Sequence, residues 1–381
     1  MNLLILFDYS TKTMIQLVPK VITGACSMKA LIAMSGGVDS SVTALLMKQQ
    51  GFDCVGVTMK LHFEKDSDKC GGQQDITDAA LICRKLSIPH EAKDFSSSFR
   101  CAVIDKFVNT YRKGGTPNPC IDCNRNLKFK GLLSYADEIG ADVIATGHYA
   151  RIGYDEESGR WNLLKAADDN KDQSYVLYNL TQEQLSRVRF PLGSMTKPEV
   201  RALAEENGFV NARKRDSQDI CFVPDRDYAK FVDNYDDIKT VPGNFVDNEG
   251  NVLGQHKGIT HYTVGQRKGL GIALGSPLFV TKIDPARNEV VLSHGMGLYK
   301  KTILINDINL ISVSSLNEPA RVAVKIRYKH KEQAATAKQL GDDLIEIIFD
   351  EPQRAPTIGQ AAVMYDGERI VGGGTICEIR D

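Results

Sequence analysis

Short apolar runs alternate with longer amphipathic stretches between residues 29 and 150. The apolar runs predict buried strands, and the stretches between them have the length and spacing of helices. Strands that alternate with helices form a doubly wound parallel sheet, so we expect an α/β fold in this part of the chain. The predicted strands are Lys29–Met34, Cys54–Met59 and Asp142–Thr146, and the predicted helices are Ser40–Gln50, Asp75–Leu86, Phe99–Tyr111 and Leu127–Ile139.

The pattern changes beyond residue 181. Two helical stretches come first, Gln182–Arg187 and Lys197–Asn207. Thr196 and Glu199 have the spacing of a capping box at the start of the second. Residues 241–276 are then rich in glycine and carry only short strand signals, which indicates a small central domain.

After Pro277 nearly every apolar run alternates as a strand does, and short strands at regular spacing predict a small β-barrel. These strands are Leu278–Ile283, Glu289–Leu292, Arg321–Tyr328, Leu344–Phe349 and Gln360–Tyr365. We therefore expect a parallel-sheet domain at 28–210, a central domain at 211–276 and a C-terminal β-barrel at 277–381. Residues 1–27 are an extension of uncertain status with no assigned function, since Met28 directly precedes the first convincing strand.

The segment AMSGGVDSS follows the first predicted strand and opens a helix. Its paired glycines let the backbone wrap a phosphate, and the N–H groups at a helix N-terminus bind the anion. Asp39 would repel a phosphate, so we expect it to orient the loop or to hold Mg²⁺. No lysine follows the second glycine, so the loop is not of the Walker A type. The predicted ATP-binding residues are Ala33, Met34, Ser35, Gly36, Gly37, Val38, Asp39 and Ser40.

Two further positions are expected at the same edge of the sheet. Met59 ends a predicted strand, where its side chain could pack on adenine, although core packing is the simpler role for a lone methionine. Gly147 follows another predicted strand, at a point where the backbone must approach a ligand. His148, next to it, could be a structural histidine, but its place at a strand end favours the site.

The chain has nine cysteines, an odd number that does not indicate a secreted disulfide scaffold. In the reducing cytoplasm that we expect instead, grouped cysteines are candidates for catalysis or metal binding. Cys120 and Cys123 have C-x-x-C spacing just before a predicted helix. A helix N-terminus and Arg125 would stabilise a thiolate at Cys123, against the alternative of an inert thiol. Cys221, between a polar and an apolar stretch, is a second candidate.

Two segments carry an excess of positive charge. Residues 250–283 contain no Asp or Glu but carry several cations with aromatic and imidazole side chains among them, namely Lys257, Arg267, Lys268, Lys282, His256, His261 and Tyr262. A second set alternates with apolar residues, as on one face of a strand: Arg321, Lys325, Arg327 and Lys329. Such surfaces suit an RNA backbone, although charged strand faces are usually just solvated. No apolar run approaches the roughly 20 residues that span a bilayer, so no membrane is expected.

These segments occur in an order that resembles the bacterial tRNA-specific 2-thiouridylase family, of the pyrophosphatase-loop ATPases. The resemblance covers nearly the whole chain from about Met28. It rests on the motifs MSGGVDSS, TPNP-x-x-x-CN-x-x-x-KF, ATGHYAR, KDQSYVL, FPLG-x-x-TK-x-E-x-R, DSQDICFV, YTVGQRKGLGI and GQAAVMYDG.

The resemblance implies an enzyme that uses ATP to adenylate O2 of the wobble uridine in tRNAs for Lys, Glu and Gln and then replaces that oxygen with sulfur. Cys221 matches the family's persulfide-bearing cysteine and Cys123 its partner nucleophile, which implies a transient Cys123–Cys221 disulfide and a persulfide or sulfide donor. The implied contacts to the target base are Asn118, Pro119 and Cys120. The implied contacts to the tRNA anticodon region are His148, Lys171, Asp172, Gln173, Arg327, Tyr328 and Gln360.

One position departs from the family pattern. Many members have an acidic residue after Asn-Pro, where this chain has Cys120, so the expected acid/base carboxylate is missing there, although Asp122 is close in sequence. Cys120, Cys123 and Cys221 also match a set that related tRNA thiolases use to hold a 4Fe–4S cluster. A cluster-bearing variant and a persulfide enzyme with Cys in place of Asp both remain open at this point.

Two other function classes fit parts of the sequence. A small-molecule ligase with the same loop would adenylate a carboxylate or citrulline, and would need neither a basic barrel nor paired cysteines. A non-enzymatic RNA-binding module would leave the nucleotide loop without a role.

Overall fold

The structure is a computed structural model that describes residues 27–61, 72–214, 220–223, 227–272 and 277–380, together with the backbone of two strands before them. Those strands, β1 (Leu3–Phe7) and β2 (Met14–Pro19), pair antiparallel. The rest of the predicted extension before Ser27, and the first part of the DSQDICFV motif at 216–219, lie outside the described residues.

The predicted parallel sheet is confirmed. Its strands are β3 (Lys29–Ala33), β4 (Asp53–Lys60), β5 (His90–Asp94), β6 (Val143–Ala145) and β9 (Val188–Arg189). They pair in parallel in the order β5-β4-β3-β6-β9. The central strand is apolar because helices cover both faces of such a sheet, and Ala30, Leu31 and Ile32 are fully buried. Strand β5 was not predicted because its sequence, HEAKD, has no apolar run.

The helices that the structure describes are α1 (Val38–Gln49), α2 (Gln73–Lys85), α3 (Ser96–Phe99), α4 (Asp105–Arg112), α5 (Pro119–Cys123), α6 (Leu132–Glu138), α7 (Gln182–Arg187), α8 (Lys197–Glu206) and α9 (Tyr228–Asp233). Two π-helical segments join neighbours, Arg100–Ile104 between α3 and α4 and Asn124–Gly131 between α5 and α6. The predicted capping box of Thr196 and Glu199 is present at the start of α8.

The C-terminal barrel is also confirmed. Six antiparallel strands close in the order β14-β17-β16-β15-β18-β19, with β14 pairing back to β19. Their bounds are β14 (Tyr299–Leu310), β15 (Ala320–Lys325), β16 (Gln333–Gly341), β17 (Leu344–Arg354), β18 (Ala361–Asp366) and β19 (Arg369–Arg380). A hairpin of the first domain, β7 (Arg151–Asp155) and β8 (Arg160–Leu164), joins this sheet through the Leu164–Arg369 pair.

The central sheet corrects one expectation. Four strands pair in the order β11-β10-β13-β12, namely β10 (Gly243–Val246), β11 (Val252–His256), β12 (Phe279–Asp284) and β13 (Glu289–Ser293). The strands after Pro277 were predicted to begin the barrel, but β12 and β13 belong to this sheet because β10 pairs in parallel with β13. The boundary at 277 therefore does not separate the two sheets.

The first domain and the barrel share one hydrophobic core. Phe129 and Ile144 of the parallel-sheet domain lie in the same buried cluster as Val363 and Tyr365 of the barrel. The barrel therefore packs directly against the domain that carries the nucleotide loop. No helix in the described part of the chain is both long enough and apolar enough to cross a bilayer.

Candidate active site

The predicted nucleotide loop lies at the carboxyl edge of the sheet, between β3 and α1. Gly36 has a φ of +72°, a left-handed conformation that glycine adopts without strain. The Ser40 hydroxyl donates to the Gly37 carbonyl at 3.0 Å and accepts from the Ser35 N–H at 3.2 Å, while the Ser41 hydroxyl donates to the Gly37 carbonyl at 3.0 Å. These hydroxyls therefore hold the loop's own shape, and the backbone remains the group suited to an anion.

Asp39 is the best-connected side chain of the loop. Its two carboxylate oxygens accept from the Lys197 ammonium at 2.7 and 2.8 Å, and Oδ1 also accepts from the Tyr149 hydroxyl at 2.8 Å. Lys197 is the first residue of α8, and its side chain is only 10% exposed. A lysine from a distant helix thus neutralises the carboxylate of the loop.

Of the two roles expected for Asp39, these contacts support orientation of the loop. Mg²⁺ needs carboxylate oxygens directed at the ion, whereas both oxygens of Asp39 accept hydrogen bonds from an ammonium group. Across the described ranges, no group of three or more His, Cys, Asp or Glu side chains is placed to hold a metal ion. These contacts do not assign Asp39 as a ligand of Mg²⁺.

The two other predicted nucleotide contacts flank the loop. Met59 lies at the end of β4, half-buried against two hydrophobic clusters. A Cβ added to Gly147 would lie 3.0 Å from both Asp39 Cβ and Ser40 N, so this segment packs directly on the first turn of α1. The close backbone approach predicted at Gly147 is therefore an approach to the nucleotide loop.

The cysteine-bearing helix begins earlier than predicted. The sequence places a helix start at Leu127, but α5 begins at Pro119, with Asn118 as its N-cap residue. Cys120 rather than Cys123 therefore occupies the first turn, and Arg125 pairs with Asp307 of the barrel at 2.5 Å. The expected reason for a stabilised thiolate at Cys123, a helix N-terminus with an adjacent arginine, is wrong.

The structure places Cys123 and Cys221 at the same hydrophobic cluster. Cys123 is buried in a hydrophobic cluster that also contains Phe107 and Phe222, and Cys221 packs half-buried against the same cluster. The Phe222 ring lies 5.1 Å from Phe107 and 5.6 Å from Phe99, both edge to face. Phe222 thus anchors the chain next to Cys221 in this cluster.

Cys120 and Asp122 face different surroundings, because residues two apart lie on different sides of a helix. Cys120 is exposed, and its charge contributes, after burial and Asp172, to the raised pKa of Tyr328. Asp122 is buried and pairs with Lys106 of α4 at 2.6 Å. Burial raises the pKa of Asp122 even though Lys106 opposes the shift. Asp122 therefore lies in a buried ion pair, in surroundings different from those of the exposed Cys120.

The barrel holds the loop that leads into α5. The Gln360 amide donates to the carbonyls of Thr116 at 2.8 Å and Pro117 at 3.3 Å, and the Thr116 N–H donates to the Ile358 carbonyl at 2.9 Å. Gln360, expected to contact tRNA, thus uses its amide nitrogen within the protein. Asn118 and the residues after it are placed by these contacts.

The KDQ segment, Lys171 to Gln173, also uses side chains for hydrogen bonds within the protein. Asp172 accepts from the Ala166 N–H at 3.0 Å and the Ser174 hydroxyl at 2.8 Å, and Gln173 accepts from the Tyr149 N–H at 2.9 Å. Lys171 is half-buried beside them. Asp172 and Gln173 therefore position the chain, and Lys171 stays a predicted tRNA contact.

His148 is a structural histidine. It is 8% exposed, packs between the rings of Phe129 and Phe190, and forms a 2.8 Å hydrogen bond with the Thr146 hydroxyl. Burial holds the pKa of His148 well below its usual value, so the ring is neutral. Of the two roles that the sequence left open, these contacts favour the structural one over a direct contact with tRNA.

Arg327 and Tyr328 lie on the barrel next to the KDQ segment. The Tyr328 hydroxyl donates to the Asp172 carbonyl at 3.1 Å, and its side chain is 40% exposed. Arg327 donates to the Arg354 carbonyl at 2.9 Å, and its pKa is lowered by burial and then by the charge of Arg354. Two guanidinium groups that repel each other would both be stabilised by an anion such as a phosphate.

The two predicted basic surfaces are smaller than expected. In the central segment His256 and Tyr262 are buried in the core, and His261 pairs with Asp233 at 2.7 Å, which leaves Lys257, Arg267 and Lys268 among the exposed cations. On the barrel the strand ends at Lys325 instead of Tyr328. There Arg321 pairs with Asp350 at 2.6 Å and Lys325 with Glu332 at 3.5 Å.

Several residues that build the site were given no role from the sequence. Lys197 and Tyr149 lie in motifs used for the resemblance, but 158 and 110 residues separate them from Asp39. Asn211 and Lys214 reach the same loop from 175 and 178 residues away. No local pattern indicates such partners, because the contacts form only when the sheet brings distant segments to one edge.

Comparison with known proteins gives the same architecture. The family model described as the tRNA methyl transferase HUP domain matches residues 28–225, its PRC-barrel domain matches 229–294, and the aminomethyltransferase beta-barrel domain matches 300–376. The chain is 49% identical over 352 residues to the tRNA-specific 2-thiouridylase MnmA of Clostridioides difficile, covering 91% of this chain and 98% of that protein. It is 48% identical over 354 residues to the MnmA of Lachnoclostridium phytofermentans, covering 91% and 99%.

Among solved structures, the U34-tRNA thiolase NcsA from Methanococcus maripaludis with its 4Fe–4S cluster matches at 20% identity and a TM-score of 0.34, covering 51% of this chain and 60% of that chain. This distant likeness says nothing about a cluster here, and Cys120, Cys123 and Cys221 do not form a metal-holding group in the described structure. Since all three domain models match in order and relatives align over nearly their full length, the chain belongs to the tRNA-specific 2-thiouridylase family.

Proposed function

We propose that this chain is an ATP-dependent tRNA-uridine 2-sulfurtransferase. It adenylates O2 of the wobble uridine in tRNAs for Lys, Glu and Gln, and replaces that oxygen with sulfur to give 2-thiouridine. The observation that carries the proposal is that Cys123 and Cys221 lie at one hydrophobic cluster, in the domain that also presents the nucleotide loop. Membership of a family whose relatives are named 2-thiouridylases supports it.

In the first step the uridine O2 attacks the α-phosphorus of ATP and pyrophosphate leaves. The N–H groups of the loop and of the first turn of α1 stabilise the charge on the phosphates. Such electrostatic stabilisation by fixed donors is usually the largest single contribution to catalysis. Lys197 keeps Asp39 from repelling the phosphates, because the ammonium neutralises the carboxylate at 2.7 Å. Met59 and Gly147 line the nucleotide side of the site.

In the second step the outer sulfur of a Cys221 persulfide attacks C2 of the base and AMP leaves. The Cys123 thiolate then attacks Cys221 Sγ, which releases 2-thiouridine and leaves a Cys123–Cys221 disulfide. A dithiol reductant returns both cysteines to thiols, and a persulfide donor then passes its outer sulfur to the Cys221 thiolate and leaves as a thiol. The shared hydrophobic cluster of the two cysteines keeps this exchange within one site.

The target base lies at the N-terminal end of α5, against Asn118, Pro119 and Cys120. The tRNA backbone follows the half-buried cations Lys171 and Arg327 and the exposed ring of Tyr328. Asp172, Gln173 and Gln360 position these groups through the hydrogen bonds described above. The persulfide route is the one we propose, because Cys221 and Cys123 lie at one hydrophobic cluster.

One assay separates the alternatives. Protein, ATP, a persulfide donor and unmodified tRNA are incubated, and digested tRNA is analysed for 2-thiouridine alongside AMP. We expect Cys123→Ser and Cys221→Ser to lose 2-thiouridine but to keep tRNA-dependent exchange of pyrophosphate into ATP, while Cys101→Ser, whose side chain is exposed, keeps both activities.

Three results would contradict the proposal. Pyrophosphate release on a small acid without thiolation would support a ligase. Binding of tRNA with no use of ATP would support a non-enzymatic module. A methylated nucleoside formed from a methyl donor would support the activity in the family model's description.

A further inference from the structure

A buried threonine links the nucleotide loop to the edge strand β5. Thr58 lies in β4, and its hydroxyl donates to the Met34 carbonyl at 2.8 Å. The same hydroxyl lies 2.8 Å from Nε2 of His90, the first residue of β5. Since a carbonyl oxygen only accepts and a hydroxyl has a single proton to donate, the His90 ring must be the donor to Thr58.

The surroundings of His90 fit this direction. Its ring is half-buried, and burial lowers its pKa although the charge of Glu91 opposes the shift. The ring is therefore neutral at about pH 7, and the hydrogen bond to Thr58 places its one proton on Nε2. Gly56 of β4 leaves room for the side chains on both sides, because a Cβ there would lie 3.2 Å from Met34 Cγ and 3.4 Å from His90 Cδ2.

The hydrogen bonds continue into the loop in the same direction. The peptide group that follows Met34 accepts at its carbonyl from Thr58, and its N–H donates to the Ser40 hydroxyl at 3.2 Å. The Ser40 hydroxyl donates in turn to the Gly37 carbonyl at 3.0 Å. This carbonyl shares its peptide group with the N–H of Val38, the first residue of α1.

Every donor in this series points the same way, from the His90 ring toward the start of α1. Hydrogen bonds arranged in such a series polarise one another, so each is stronger than it would be alone. A peptide group is planar and trans, so the Val38 N–H points away from the Gly37 carbonyl at which the series ends. The first N–H groups of a helix have no acceptor within the helix and are suited to an anion. The series therefore ends on a group that can bind a phosphate.

We propose that His90 and Thr58 are positioning residues that orient and polarise the phosphate-binding groups of the nucleotide loop. Thr58 holds the peptide group after Met34 at its carbonyl while Ser40 holds it at its N–H, which fixes the entry of the loop. His90 fixes the direction in which Thr58 donates. Both act through this series of hydrogen bonds and not by contact with the reacting atoms. The inference rests on the proposed function only in its assignment of the loop to the phosphates of ATP.

The test compares two ligands on the full-length protein. The Kd of the non-hydrolysable analogue α,β-methylene ATP is measured by isothermal titration calorimetry, and that of adenosine by competition with the analogue. Thr58→Val keeps the shape of the side chain without the hydroxyl and should weaken binding of the analogue about fivefold, and His90→Phe should weaken it about threefold, as expected for one hydrogen bond. Adenosine has no phosphate, so its Kd should stay within about twofold in both variants, whereas general damage to the fold would weaken both ligands.

Conservative variants and controls sharpen the comparison. Thr58→Ser keeps the hydroxyl and His90→Gln keeps an N–H near the position of Nε2, so both should bind the analogue within about twofold of the unmodified protein. His90→Asn places its amide nearer the position of Nδ1 and should behave as His90→Phe does. The matched controls are Thr281→Val, whose hydroxyl donates to the Val291 carbonyl at 3.3 Å in the central sheet, and His294→Phe at an exposed position. Neither should change the Kd of the analogue.

Two results would overturn the proposal. One is that Thr58→Val and His90→Phe, shown to be folded by circular dichroism, both bind the analogue as tightly as the unmodified protein does. The other is that adenosine binding weakens by the same factor as binding of the analogue. The readout needs neither tRNA nor a sulfur donor, so a failure of the proposed thiolation would not be confused with a failure of this inference.

Discussion

The nucleotide loop and the cysteine-bearing helix α5 are built in opposite ways. The loop carries its own anion-binding groups, since the glycines, the backbone N–H groups and the helix start all lie within Ser35–Ser41. Helix α5 is only five residues long, and its surroundings come from other parts of the chain. They include Gln360 next to the barrel, Lys106 on α4, and Phe222, which follows the undescribed residues 215–219. A local backbone device can be identified from a short motif, whereas a site assembled from side chains of three regions cannot.

The largest effect is expected where the loop depends on a distant residue. Lys197→Ala leaves Asp39 uncompensated beside the phosphates, so tRNA-dependent AMP formation should fall by about 100-fold or more. The Lys197 and Asp39 side chains are 10% and 32% exposed, so the unfolding free energy should also fall, by about 1–3 kcal/mol.

The matched control is Lys93→Ala, which breaks a surface pair with side chains 30% and 58% exposed. Its AMP formation should be unchanged and its stability within about 1 kcal/mol. Urea unfolding and AMP assays measure both variants. Normal AMP formation in Lys197→Ala would mean that the nucleotide loop works without the distant Lys197.

A smaller effect is expected at Cys120, because it is exposed and belongs to no described metal group. Cys120→Ser should lower 2-thiouridine formation by no more than about tenfold, about 1.4 kcal/mol. Protein purified under anaerobic conditions should be colourless, contain well under one iron atom per chain, and be fully active with a persulfide donor. Stoichiometric iron and sulfide that are required for activity would reverse this conclusion and make α5 part of a cluster site.

The link between α5 and the barrel should have a still smaller effect. Gln360→Ala removes two hydrogen bonds to the Thr116–Pro117 carbonyls, worth about 1 kcal/mol in total, so kcat/KM for tRNA should fall about fivefold with the KM for ATP unchanged. Gln255→Ala, at an exposed position of β11, is the control and should change neither value. An equal loss of kcat/KM for ATP would show that helix α5 and the nucleotide loop do not act separately.

The smallest effect is a pH dependence at His148. Burial lowers its pKa below the ordinary value of 6.5, so the unfolded chain takes up a proton more readily than the folded protein. The contribution of neutral His148 to the unfolding free energy is therefore fully present above the ordinary histidine pKa, and it is lost as the pH falls below that value.

His148→Gln should accordingly lose part of the decrease in unfolding free energy between about pH 7 and about pH 5.5, measured with urea. Only part is lost because the pKa values of His90, His256 and His330 are also lowered. The variant should bind tRNA with an unchanged Kd. Weaker binding of tRNA, with an unchanged dependence of the unfolding free energy on pH, would instead support the predicted contact between His148 and tRNA.

Elements with a strong local signal were predicted well. The central strands, helix α7 with bounds Gln182–Arg187, and the capping box of α8 follow from apolar periodicity and cap chemistry. Strand β5 was missed because an edge strand need not be apolar. Helix α5 was missed because the Pro-Asn-Pro sequence indicates a loop, although a proline also fits the first turn of a helix.

The sequence by itself determined the parallel sheet, the barrel, the nucleotide loop and the cysteines worth testing, because these depend on periodicity, glycine and residue type. Only the tertiary structure decided what surrounds them. It joined Asp39 to Lys197, moved Cys120 into the first turn of α5, and made His148 part of the core. The physical reason is that hydrogen bonds and ion pairs act over a few ångströms in space, while the partners here are separated by more than a hundred residues along the chain.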